Sequence, residues 1–122
     1  MPRTSGTHTN GMLTRKAAAA IKKGQLLKTN TDGSVTPCAA ATDVALFIAH
    51  DDADAGNNVA VATLGNTPGT FLVLLTAAAT TGAAINVLGG IAAAGALAVG
   101  RALEPGAIGD LVECAHFATR AV

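Results

Sequence analysis

The chain has almost no aromatic side chains, although half of its residues are hydrophobic. It contains no Trp and no Tyr, and its three Phe are Phe47, Phe71 and Phe117. The apolar content is mainly Ala, Val and Leu, interrupted by 14 Gly. Small side chains let backbones approach closely, whereas ligand pockets are usually lined by aromatic groups and a few converging polar ones. The composition therefore favours a structural module over an enzyme, with no catalytic residue and no cofactor.

Length and charge further limit the number of domains and the classes of binding partner. A chain of 122 residues fits one domain. Its eight basic and eight acidic residues cancel, so no net charge attracts nucleic acid or an anionic membrane. The charges are unevenly placed, because every basic residue except Arg101 and Arg120 lies within residues 1–28, which contain no acid. Two interpretations of this basic segment remain open: it contacts an acidic surface, for example on a neighbouring copy, or it is a solvated tail.

Cellular location and redox state follow from three local features. The first residues, MPRTSGTHTN, contain no apolar segment, so we expect synthesis in a cytosol. Residues 55–100 carry no charge, but Thr, Asn and Gly interrupt this run and no Lys or Arg cluster borders it, so we expect no membrane span. Cys38 and Cys114 are far apart in sequence and flanked by small residues, which favours buried free thiols over a disulfide or a zinc site.

Short apolar segments separated by turn residues predict an all-β fold, either a small barrel or a sandwich-like module. Residues 16–23 fit a helical turn and a strand entry equally well. Asn30 to Gly33 and Gly65 to Gly69 predict turns. Strands are expected at residues 25–29, 34–37, 44–49, 59–64, 70–75, 85–88, 91–94, 96–103 and 111–117.

The order of glycines and apolar pairs also repeats weakly along the chain. Gly24, Gly33 and Gly56 in the first half are echoed by Gly82, Gly90 and Gly106 in the second. The echo fits either a diverged duplication or two ordinary meanders, and because the offset between the two series drifts from 58 towards 50 we favour coincidence.

The densest polar cluster is His50-Asp51-Asp52-Ala53-Asp54. It lacks the downstream Glu of a calcium loop, so we interpret it as a solvated loop and predict no metal site. The three histidines, His8, His50 and His116, share no metal-ligand spacing, and His116 is expected to be a structural or surface residue. The basic segment holds no aromatic residue on which bases could stack, so we expect no nucleic-acid binding.

Several segments together resemble bacteriophage capsid decoration proteins, also called head-stabilising or cement proteins. The resemblance covers most of residues 17–117. The matching segments are AAIKKGQLL at residues 19–27, DGSVTP at 32–37, AAAT at 39–42, IAHDDA at 48–53, VGRALE at 99–104 and GDLVE at 109–113. His50 departs from the pattern, since a Gly is expected after the apolar strand, as at Gly100.

The resemblance implies a β-rich protein that binds the outside of an expanded phage head as a homotrimer and holds neighbouring major capsid proteins together. It implies synthesis in the host cytoplasm and a final place on the virion surface. We assign residues 1–15 to a flexible N-terminal arm and residues 16–122 to one β-rich domain. Such arms commonly add a strand to the major capsid protein. The partner-binding residues predicted on this basis are Thr7, His8, Thr9, Asn10, Met12, Leu13, Arg15 and Lys16.

The alternative functions are a structural subunit of another phage or surface assembly, such as a tail or spike, and a small membrane protein of the holin type.

Overall fold

The computed structural model describes residues 12–122, which form nine β-strands and no helix. The strands are β1 (Met12–Lys16), β2 (Leu26–Thr29), β3 (Val35–Pro37), β4 (Phe47–Ala49), β5 (Asn58–Thr63), β6 (Phe71–Leu74), β7 (Ala84–Asn86), β8 (Leu97–Ala102) and β9 (Leu111–Ala121). The long uncharged run is divided among β5, β6, β7 and β8. Within the described residues no helix is long and apolar enough to cross a membrane.

The strands form two antiparallel sheets. The first has the order β1-β5-β4-β2-β3 and the second the order β6-β9-β8-β7. Every strand pair is antiparallel, and neither sheet closes into a barrel. The all-β prediction is therefore confirmed, and of its two alternatives the protein adopts the two-sheet arrangement.

Local sequence explains why the strands start and stop where they do. In β5, Val59 and Val61 are buried while Ala60 between them is partly exposed, as expected for side chains that alternate between two faces. Between β2 and β3 the chain reverses at Gly33, whose φ of 86° lies in the left-handed region that glycine adopts without strain. Asp32 stabilises this turn, because its carboxylate accepts hydrogen bonds from both the Ser34 hydroxyl and the Ser34 backbone.

The two sheets are built on the same plan, and the interpretation of the sequence echo as coincidental is wrong. β1 pairs with β5 so that Arg15 faces Val59, and β6 pairs with β9 so that Val73 faces Val112. Residue numbers in β6 exceed those of their equivalents in β1 by 58, and residue numbers in β9 exceed those in β5 by 53. Both differences hold for every residue pair that β6 forms with β9. The pairing of β4 with β5 likewise recurs in β8 with β9, and that of β2 with β4 recurs in β7 with β8.

The loops repeat as well as the strands. Ile21 and Ala53 exchange two backbone hydrogen bonds. At the equivalent positions, Ala79 and Gly106 do the same. We therefore divide the described chain into repeat 1, residues 12–64, and repeat 2, residues 70–122. Between equivalent paired residues, the connection between β7 and β8 is five residues shorter than that between β2 and β4, which lowers the offset from 58 to 53. Gly56 therefore corresponds to Gly109, which has the same φ of 89°, and its match with Gly106 in the sequence is wrong.

The first sheet uses its two faces differently. One face forms the internal core of repeat 1, whose buried members are Ala17, Ile21, Leu27, Val35, Phe47, Ala49, Val59 and Val61. The opposite face carries Leu26, Ile48 and Ala62, which pack into a larger core dominated by repeat 2. Burying a Leu or Ile side chain stabilises a fold by about 2 kcal/mol. Repeat 1 is thus held to repeat 2 by an apolar sheet face.

Three predicted segments differ from the structure. Residues 91–94 are not a strand: Ile91 forms a single bridge to Ile85, and the chain then turns between Ala93 and Ala96. β9 extends to Ala121 because its second half continues to pair with β8. Residues 12–15, assigned to the arm from the sequence, belong to β1, where pairing with β5 and partial burial of Leu13 fix them in the first sheet.

Candidate interaction surfaces

The predicted partner-binding residues divide at the start of β1. Thr7, His8, Thr9 and Asn10 lie outside the described residues. Met12, Leu13, Arg15 and Lys16 are on β1, which is an outer strand of its sheet. The Arg15 guanidinium lies 5.9 Å from the centre of the Phe47 ring and donates a hydrogen bond to the Thr14 carbonyl. Lys16 is exposed.

The free side of β1 presents backbone groups as well as side chains. The N–H of Ala17 donates to the carbonyl of Asn57, which fixes which residues of β1 turn towards β5. Because neighbouring residues in an antiparallel strand face opposite directions, the N–H groups of Thr14 and Lys16 point away from β5. An outward row of this kind is a template for pairing with another segment.

A cavity of about 460 Å³ lies where the two repeats meet. It is bordered by β1 and β4 on one side and by the chain leading into β6 on the other. The lining residues are Met12, Lys23, Ile48, Ala49, His50, Ala62, Thr67, Pro68, Thr70, Phe71 and Leu72. The walls are mostly apolar, with Lys23 and His50 as the ionisable members. Nothing in the sequence pointed to this cavity, because its lining comes from several separate segments between Met12 and Leu72.

The basic segment meets the chain's own acidic loop. Lys22, Lys23, Asp51 and Asp52 border one shallow depression, and the backbone N–H of Lys23 donates to the Asp52 carboxylate at 2.7 Å. The backbone of the basic segment thus contacts the acidic loop of the same molecule, and contact of its charged side chains with an acidic surface stays a prediction. Within residues 12–122 no group of three metal-ligating side chains comes together.

Other acidic groups hold loops in place. The Asp43 carboxylate accepts hydrogen bonds from the backbone N–H groups of Ala39 and Ala40 and forms an ion pair with Lys28 at 3.3 Å. The two backbone bonds, with the nearby ammonium group, hold the pKa of Asp43 below its usual value. The Asp43 carboxylate therefore stabilises the loop between β3 and β4.

His116 is a structural residue, as its sequence context indicated. Its Nδ1 accepts a hydrogen bond from the backbone N–H of Gly65 at 2.9 Å, and its ring stacks on Phe71 with the centroids 4.0 Å apart. These contacts join the turn after β5 to β6 and β9. The thiols of Cys38 and Cys114 are both free, and burial raises the pKa of each to about 11. Such thiols remain protonated and poorly nucleophilic at neutral pH.

One outer face of repeat 2 was not anticipated from the sequence. Gly82, Arg101, Leu103 and Ala115 are all exposed, and Leu103 keeps 45% of its surface accessible. Three of the equivalent residues in repeat 1, Gly24, Ile48 and Ala62, are buried against repeat 2. The recurrence of Gly24 as Gly82 was the signal in the sequence that could have identified this face.

Comparison with known proteins adds one structural likeness. No protein-family model matches the chain. No curated protein matches it either. The fold is similar to the crystal structure of the head fibre gp8.5 N base of bacteriophage phi29, with a TM-score of 0.62 and 18% sequence identity. The likeness covers 84% of this chain and 90% of that one. The two proteins share a fold across nearly their whole described lengths.

Proposed function

We propose that this chain is a non-enzymatic structural protein of a bacteriophage virion. It attaches to the outer surface of the head as a homotrimer and clamps neighbouring copies of the major capsid protein. The observation that carries this proposal is the fold likeness to the base of a phage head fibre. The small-residue β-rich body and the sequence resemblance to capsid decoration proteins support it independently.

The arrangement of the chain suits attachment through the residues that precede β1. β1 is paired with β5 along its whole length, from Met12 to Lys16. Residues 1–11 precede this outer strand in the chain, and their contact with the major capsid protein is part of the proposal. Three such attachments in one trimer would bind simultaneously, so that weak individual contacts give a long-lived complex.

A second role is favoured by the same structural neighbour. That neighbour is the N-terminal base of a head fibre, so the present chain would also suit the foot of a fibre or of another phage appendage. A decoration protein occupies many equivalent sites over the shell, whereas a fibre base carries a further projecting segment. The number of copies per head distinguishes the two.

Sedimentation with purified heads tests the proposal. The full chain should pellet with expanded heads of the phage that encodes it, saturably, and should remain in solution with unexpanded heads. A variant lacking residues 1–11 should keep its melting temperature within a few degrees but bind at least tenfold more weakly. The matched control carries the same eleven residues in scrambled order. Failure of the full chain to bind either form of head would contradict the proposed function.

A further inference from the structure

The junction between the two repeats shows what one face of this fold binds. Gly24 of repeat 1 lies directly against β6, and its carbonyl accepts a hydrogen bond from the N–H of Leu74 at 2.9 Å. A Cβ atom at Gly24 would lie 2.7 Å from that same nitrogen. The face of repeat 1 that carries Gly24, Ile48 and Ala62 is therefore closed by the outer strand of repeat 2.

The same face exists a second time, covered only by the chain's own Arg101 side chain, whose guanidinium donates a hydrogen bond to the Gly82 carbonyl at 3.1 Å. Gly82 is equivalent to Gly24 and has the same φ of 88°, but a Cβ atom there would meet nothing within 4 Å. Arg101 and Ala115, which correspond to Ile48 and Ala62, are exposed. Repeat 2 thus presents the counterpart of a surface that is buried in repeat 1.

The strand that would cover it is also present a second time. β1 is equivalent to β6, and Lys16 occupies the position of Leu74. The N–H of Lys16 points away from β5, as the N–H of Leu74 points away from β9 towards Gly24. Each molecule therefore carries one face of this type covered only by a side chain, on repeat 2, and one outer strand of the matching type, on repeat 1.

We propose that β1 of one copy packs on the outer face of repeat 2 of a second copy, with the Lys16 N–H of the first copy donating to the Gly82 carbonyl of the second in place of the Arg101 guanidinium. This inference rests on the self-association in the proposed function and assigns its interface. The contact is head to tail, so it can close into a ring. A ring of three copies would contain six repeats, joined alternately within and between chains.

Charge complementarity supports this pairing of surfaces. At the junction within the chain, Leu74 and Asp51 border the same depression. Their equivalents are Lys16 and Glu104, so the contact between copies would bring an ammonium group near a carboxylate. Exposed pairs of this kind select a partner and its orientation more than they add affinity.

Apolar surface at the same face supplies the remaining contact. Leu103 takes the position of His50, which borders the cavity between the repeats. It would therefore meet the start of β1 in the second copy. Leu103 is 45% exposed in the single chain, and the contact between copies would remove part of this apolar surface from water.

Analytical ultracentrifugation of single and paired variants tests the assignment. Ala115→Arg should raise the apparent dissociation constant of the assembly at least tenfold, because it places a long charged side chain on the covered face. Ala94→Arg, at an exposed loop position of the same repeat, is the matched control and should leave assembly unchanged. Melting curves should show that both variants fold.

A charge exchange provides the second, independent measurement. Lys16→Glu and Glu104→Lys should each weaken assembly, more at low salt than at high salt because salt screens exposed charges. The double variant should restore assembly. A wild-type oligomer that none of these substitutions affects would overturn the assigned interface and leave the proposed function standing. A wild-type chain that stays monomeric at high concentration overturns both this interface and the homotrimer of the proposed function, and head sedimentation then decides attachment to the head separately.

Discussion

Two equivalent glycines allow the packing of the repeats to be measured against an internal control. Gly24 and Gly82 share a φ of 88°, so replacing either by Ala forces a side chain into the left-handed region at a cost of about 1–2 kcal/mol. Only at Gly24 would the new Cβ collide with backbone, at 2.7 Å from the Leu74 nitrogen and 3.2 Å from the Leu72 oxygen.

The collision at Gly24 adds two further costs. Forcing an extra carbon into a packed site typically costs about 1–3 kcal/mol. Displacing the Leu74 N–H from the Gly24 carbonyl costs about 1 kcal/mol more. Gly24→Ala should therefore lower the free energy of unfolding by roughly 3–6 kcal/mol in total, on the combined scale of these effects. Gly82→Ala should lower it by about 1–2 kcal/mol, the backbone term alone.

Urea denaturation followed by far-ultraviolet circular dichroism measures both values. The protein should be dilute enough to be monomeric, so that contacts between copies at Gly82 do not contribute. Equal destabilisation by the two substitutions would refute the packing of Gly24 on β6. A larger loss at Gly82 than at Gly24 would refute the duplication as we describe it.

Three further predictions concern ionisable groups. Burial raises the pKa of Cys114 from 9.0 to about 11, so the folded state holds this proton more tightly than the unfolded state. The stability of the wild type should therefore fall between pH 9 and 11, and that of Cys114→Ala should fall less steeply; parallel pH profiles of Tm would contradict this. Because the pKa of Asp43 is lowered from 3.8, its contribution to stability is present above pH 3.8 and is lost as the pH falls through the lowered pKa. Asp43→Asn should therefore lower Tm at pH 7 and approach wild type as the pH falls; a difference in Tm that stays constant would contradict this role of Asp43. Replacing Asp51, Asp52 and Asp54 together by Asn should shift Tm by only a few degrees, since exposed loop changes are usually worth under about 0.5 kcal/mol each. Calorimetry of both proteins with and without calcium checks this, and a stabilisation by calcium that the substitutions abolish would disprove it.

Local sequence was sufficient to predict most of the strands. The turn at Gly33 requires a left-handed backbone, and the alternation around Val59 and Val61 requires two unlike faces, so both features can be recognised without tertiary information. The same reasoning placed His116 on a strand of the body as a structural or surface residue, and the structure distinguishes between the two.

Features that depend on distant partners could not be predicted in the same way. The predicted strand after Ile91 fails because no partner continues beyond its bridge to Ile85, and β9 extends to Ala121 because β8 does continue. The duplication was visible as recurring glycines but was obscured by the shorter connection in repeat 2. Only the recurrence of the backbone pairing, from Arg15 with Val59 to Val73 with Val112, distinguishes it from chance.

The candidate interaction surfaces, like the strands, depend partly on contacts between residues that are distant in the sequence. Thr7, His8, Thr9 and Asn10 remain predictions, since they lie outside the described residues. The outer face of repeat 2 was missed because exposure of Ala115 is set by what packs on it, and nothing in the local sequence distinguishes it from the buried Ala62.

The central claim is that this chain is a structural protein of the phage head, and electron cryomicroscopy of decorated heads tests it most directly. Expanded heads incubated with the full chain and reconstructed beside undecorated heads should show added density on the outer surface. The two-sheet body should fit that density as three copies, with residues 1–11 directed towards the major capsid protein. Density confined to a tail or an appendage, or its absence from the shell at saturating concentration, would contradict the account.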